Sequence, residues 1–127
     1  MPIELEQYFI KHRLNSTILQ EKIEELIAQR EFGQAIKASE YCMASLGYKS
    51  HESSKDFIFL KSKALFECGR IKDSLIIASN LIKSLEAGDD RNSKLLKTLH
   101  DLRSAIFSKL NMERESKIEA EFQLQAW

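Results

Sequence analysis

The sequence predicts an all-α fold built from helical hairpins in tandem. Three observations carry that prediction. Apolar residues recur every three or four positions through successive stretches, the spacing that gathers them on one helix face. Glycines at 33, 47, 69 and 88 punctuate those stretches where helices are expected to turn or end. No alternating strand pattern competes, and the sole proline, Pro2, lies outside every expected helix.

A first helix is expected over residues 3–14, with Ile3, Ile10 and Leu14 close to one face and Leu5 and Phe9 beside them. Asn15, Ser16 and Thr17 interrupt it, and Thr17 with Gln20 fits a capping box for the next helix. There Ile18, Leu19, Ile23, Leu26 and Ile27 form the apolar face, and Glu21, Lys22, Glu24 and Glu25 the polar one. A turn at residues 30–33 leads to a helix carrying Ala35, Ile36, Ser39, Cys42, Met43 and Leu46. Gly47 suits the left-handed conformation that ends a helix, and residues 48–52 read as a polar loop.

Ser53 with Asp56 gives a second capping signature. Phe57, Ile58, Leu60, Ala64, Leu65 and Phe66 then stripe one helix, and Gly69 breaks it. Ile71, Leu75, Ala78, Leu81, Ile82 and Leu85 line the following helix, which Gly88 ends. Residues 89–92 are expected to turn, their acidic side chains suiting the helix start that follows. Leu95, Leu96, Leu99, Leu102, Ile106, Phe107 and Leu110 stripe the helix from Ser93, and Asn111 is its expected break. A last helix through Ile118, Phe122, Leu124 and Trp127 completes the pattern.

Length and composition narrow the function. A chain of 127 residues favours a single domain, 1–127. Its 43% apolar and 30% charged content fits an ordinary soluble fold. The 19 basic and 19 acidic residues cancel, without the basic excess that neutralises phosphates, so no nucleic-acid partner is expected. The apolar runs are too short to span a bilayer, so no membrane partner is expected. The first residues lack the layout of a secretory signal, which makes a cytoplasmic location the expectation. Cys42 and Cys68 are too few for a disulfide scaffold and lie in apolar helical stretches, so both read as small buried hydrophobes.

The two turns align. Arg30-Glu31-Phe32-Gly33-Gln34-Ala35-Ile36 sits beside Gly69-Arg70-Ile71-Lys72-Asp73-Ser74-Leu75 at a period of 39 residues. Phe32 matches Ile71, Ala35 matches Ser74 and Ile36 matches Leu75. The bulky residue closes each hairpin, and the small one lets the second helix approach the first. In these residues the chain resembles the tetratricopeptide repeat family, whose turn reads roughly Gly-x-aromatic-x-x-Ala-aliphatic. The family period is about 34 residues, and the extra length falls in the 48–52 loop. Arg30 stands where Gly is common, no proline closes either repeat, and the family's Trp-Leu-Gly pattern is missing.

The resemblance implies a short right-handed superhelix of antiparallel helix pairs, about five to seven helices. The pairs would be 16–47, 53–87 and a degenerate 90–127. It also implies that the first helix of each pair lines a concave face. That face would offer Gln20, Glu24 and Ile27 from the first pair, and Asp56, Phe59, Lys63, Phe66 and Glu67 from the second. Phe59 and Phe66 fit a core role equally well. Glu24 stands where family members that clamp a C-terminal carboxylate carry a cation or amide, so no such clamp is expected.

No catalytic constellation is present. His12, His51 and His100 are isolated, and there is no phosphate loop, no H-E-x-x-H and no G-x-S-x-G. The chain is expected to be no enzyme and to carry no cofactor and no metal. It reads as an adaptor or small chaperone holding an amphipathic helix of a protein partner. In plan it is similar to the small chaperones of type III secretion needle subunits. It also looks like the N-terminal, dimerising scaffold segments of the anaphase-promoting complex. A third reading is a structural bundle that self-associates, as a homodimer, through a tail interface at Ile118, Phe122, Leu124 and Trp127.

Overall fold

The computed structural model describes residues 1–88 and 93–110. Their regular structure is α1 (Ile3–Lys11), α2 (Ser16–Ala28), α3 (Phe32–Ala44), a short 3-10 turn (Tyr48–Ser50), α4 (Ser54–Glu67), α5 (Ile71–Ala87) and α6 (Ser93–Leu110). No strand occurs among the described residues, and the chain is all-α there. The expected turn at 89–92, the break at Asn111 and the helix through Ile118, Phe122, Leu124 and Trp127 lie outside the described residues.

The α2–α3 and α4–α5 connections are the same turn made twice. In the first, the Arg30 N–H donates to the Ile27 carbonyl at 3.0 Å and the Glu31 N–H to Leu26 at 2.8 Å. In the second, the Gly69 N–H donates to Phe66 at 3.1 Å and the Arg70 N–H to Leu65 at 2.9 Å. This pair of bonds is the Schellman pattern, which satisfies two orphan carbonyls at a helix end and needs a left-handed residue to form. Arg30 supplies it at φ 63° and Gly69 at φ 93°. Glu31 and Arg70 then start α3 and α5 at nearly the same dihedrals, φ −92° and ψ 60° against φ −84° and ψ 67°.

Packing follows the chain. α2 packs on α3 and α4, α3 on α4, α4 on α5 and α6, and α5 on α6. One hydrophobic cluster gathers residues of α1 to α4, among them Phe9, Leu19, Ile23, Leu26, Ala35, Cys42, Phe57 and Leu65. A second joins α5 to α6 through Ala78, Leu81, Ile82, Leu85, Leu95, Leu99 and Ile106. Phe59 packs against both. Each fully buried Leu, Ile or Phe contributes about 1.5–3 kcal/mol.

The seams inside the two hairpins differ. Ile23 and Ala35, both fully buried, hold the α2–α3 positions where α4–α5 has Ser62 and Ser74. The serines bond reciprocally: the Ser62 hydroxyl donates to the Ser74 carbonyl at 3.0 Å, and the Ser74 hydroxyl to the Ser62 carbonyl at 2.7 Å. Both are fully buried, so the bonds satisfy groups that would otherwise be costly to desolvate.

Several local expectations are corrected. The α2 cap is Asn15, whose side chain accepts the Ile18 N–H at 3.2 Å, two residues before the expected Thr17. Ser53 holds the N-cap position of α4, but its side chain makes no cap hydrogen bond. Its backbone is helical, and its hydroxyl bonds that of Ser16 at 3.0 Å. Tyr48, in the expected polar loop, is buried against Phe57 with ring centroids 5.0 Å apart, and its hydroxyl donates to the Arg13 carbonyl at 2.7 Å. Gly47, at φ 81°, makes the left-handed step that turns Tyr48 inward. Cys42 is buried as expected, and burial pushes its thiol up to about 12. Cys68, expected to be buried too, is exposed, because it caps α4 outside the apolar stripe.

Candidate partner-binding cleft

α4 packs against both α2 and α6. A cleft of about 320 Å³ opens along them, lined by Gln20, Glu24, Asp56, Phe59, Leu60, Lys94, Leu95 and Thr98. Its floor is apolar: Leu60 and Leu95 are buried, and Phe59 is half-buried between the two clusters. Its rim is polar, with two carboxylates, one amide, one hydroxyl and one ammonium.

Periodicity places these residues. Gln20, Phe59 and Thr98 stand 39 residues apart, as do Asp56 and Leu95. One offset therefore carries the same helix position into the cleft three times. Gln20 and Glu24 lie one turn apart on α2, and Asp56, Phe59 and Leu60 within one turn on α4.

Electrostatically the cleft leans acidic. Burial holds the Asp56 carboxyl above the usual carboxylate range, with the Lys55 ammonium pulling the other way. Glu24 and Lys94 are exposed. An incoming cation beside a half-desolvated carboxylate lowers the energy of its charged form.

Four of the eight residues expected on the partner face, Gln20, Glu24, Asp56 and Phe59, come together here. The other four do not line the cleft. Ile27 is buried in the first cluster, so it has no surface to offer. Phe66 packs half-buried against the second cluster. Lys63 is half-buried and Glu67 exposed, further along α4. The α6 contribution, Lys94, Leu95 and Thr98, was not expected from sequence. The signal was present in the 39-residue offset, which lands on Thr98 from Phe59 and on Leu95 from Asp56.

Other depressions occur among the described residues. One, about 330 Å³, lies where α1 meets α2 and α3, with the Lys22 ammonium 5.2 Å from the Tyr8 ring. Another, about 370 Å³, lies on α4 and α5 around Ile58, Ile77 and Leu81. Among the described residues no three His, Cys, Asp or Glu side chains converge to hold a metal ion. No described helix is long and apolar enough to cross a membrane. Comparison with protein-family models, with curated proteins and with solved structures finds no match to this chain.

Proposed function

We propose that the chain is a non-catalytic adaptor or small chaperone of the cytoplasm, and that it holds an amphipathic helix of a partner protein in the α2–α4–α6 cleft. One observation carries the reading. α2, α4 and α6 deliver side chains to one cleft with an apolar floor and a charged rim. That is the surface an amphipathic helix requires, with anchors below and polar contacts at the edge. A cleft of about 320 Å³ accommodates one or two anchoring side chains of such a helix. Glu24 and Asp56 favour a partner that carries Lys or Arg beside its apolar anchors. The repeated Schellman turn supports the tetratricopeptide-like reading on which this use of the first helices rests.

The needle-subunit chaperone and the multisubunit scaffold segment are two forms of this proposal, and a homodimer through the 118–127 tail is its structural rival. A photocrosslinking residue placed at Phe59, with a control at exposed Lys37, tests it in the native cell. Crosslinks are expected at 59 and absent at 37. The captured segment, made as a synthetic peptide, should bind the purified chain. Glu24→Lys with Asp56→Lys should weaken binding about tenfold or more. A peptide whose affinity ignores those changes would overturn the proposal.

A further inference from the structure

α1 buries one side and leaves the other bare. Phe9 is fully buried and Leu5 packs against the same cluster. On the opposite face Ile3 is 71% exposed and Ile10 41%, and Leu14, in the turn after α1, is 90% exposed. Ile3 and Ile10 are seven residues apart, two helical turns, so they share one line along the surface. Large aliphatic side chains aligned and uncovered are unlike the scattered exposed apolar residues of an ordinary surface.

The charges beside this stripe have a particular order. Glu4 lies on one edge of it and Lys11, seven residues later, on the same edge. Half-buried Glu6 lies toward the other edge, and Arg13 follows α1 in the turn, its guanidinium donating to the Ile10 carbonyl at 3.1 Å. Along the Glu4 edge acid precedes base. Glu4 and Lys11 are exposed and form no ion pair among the described residues. When two such helices meet antiparallel about a two-fold axis, each edge faces its own copy reversed. Glu4 then meets Lys11 of the second copy and Lys11 meets its Glu4, while Ile10 sits between Ile3 and Gln7 of that copy. A parallel meeting about a two-fold axis would instead bring Glu4 beside Glu6 of the second copy, acid against acid.

We propose that the exposed face of α1 is an isologous interface on which a second copy of this chain docks antiparallel, Glu4 to Lys11. The pattern is self-complementary, as a two-fold interface demands. This surface is separate from the α2–α4–α6 cleft and does not rest on the function proposed for it. Three aliphatic side chains make a small seam, well below the roughly 800 Å² per partner of stable complexes. The dimer is therefore of the weak, concentration-dependent class.

Sedimentation velocity of the full chain over a hundredfold range of concentration tests this, with circular dichroism to establish folding. Wild type should pass from monomer to dimer. Glu4→Lys alone and Lys11→Glu alone should each weaken association about tenfold or more, because like charges then meet twice. Mixing the two variants should restore a dimer, since both of the symmetry-related contacts between positions 4 and 11 then pair opposite charges. A chain that stays monomeric at every concentration overturns the proposal, and so does a dimer indifferent to the reversals. A dimer that appears only after residues 111–127 are deleted also overturns it, because the stripe is then covered within the chain. Binding to anionic vesicles in place of self-association would assign the face to a membrane surface and overturn it equally.

Discussion

The α2–α3 and α4–α5 hairpins share a turn and differ in the seam behind it. Both turns carry the same two crossing hydrogen bonds and the same left-handed residue position. Behind the first, Ile23 and Ala35 set a large residue with a small one. Behind the second, two serines bond each other's carbonyls. One backbone geometry is thus compatible with two ways of holding helices together. The first way depends on volume and fails by leaving a hole. The second depends on paired donors and fails by leaving one stranded.

Substitutions in the two hairpins put that contrast to the test. Ile23→Ala should cost about 2–5 kcal/mol, because the large half of the seam is removed from a fully buried site. Urea unfolding should show a lower midpoint at an unchanged slope. Gly69→Ala should cost about 1–2 kcal/mol, since a Cβ is placed at φ 93°.

Ser62→Ala should cost about 1 kcal/mol, and Ser74→Ala about the same. The double variant should cost less than the two added, because each hydroxyl bonds the other residue. Additive costs would mean that the serines act separately. In the first turn the expected sign is reversed. Arg30→Gly relieves a side chain held at φ 63°, though it also removes the guanidinium 5.7 Å from the Phe32 ring. The net gain should be about 0.5 kcal/mol, visible as a higher Tm.

The smallest effect is expected at the cleft. Asp56 has a folded-state pKa raised by burial. For such an acid the folded state binds the proton more tightly, so stability falls as pH rises through the folded value. Asp56→Asn should therefore be the more stable protein at pH 7. The difference should close below about pH 3.9, where Asp56 is protonated in both states. Chemical denaturation at the two pH values checks the sign.

Much of the fold was legible because helical spacing is a strong signal when it persists. The apolar stripe on α5, at Ile71, Leu75, Ala78, Leu81, Ile82 and Leu85, is buried or half-buried as expected. Single residues were harder. Asn15 and Thr17 are both good caps, and spacing alone does not decide which is used. Tyr48 sits beside Lys49, Ser50, His51 and Glu52, so local polarity hid a residue that Gly47 turns into the core. In the cleft, Gln20, Glu24, Asp56 and Phe59 were reached through the resemblance to tetratricopeptide repeats, whose first helices line a concave face. Ile27 shares a helix face with Gln20 yet lies under the first cluster, because burial depends on neighbours that one helix does not reveal. Thr98 looks like any solvated helix residue until the offset is carried a second time, from Phe59, and Lys94 has no such signal, since the offset reaches it from Lys55, outside the cleft lining.

Phe59 belongs to the cleft floor and to the contact between the two hydrophobic clusters. A guest of the proposed kind would press on a ring that packs against both clusters. Binding there would then be coupled to the packing of α4 on α5 and α6.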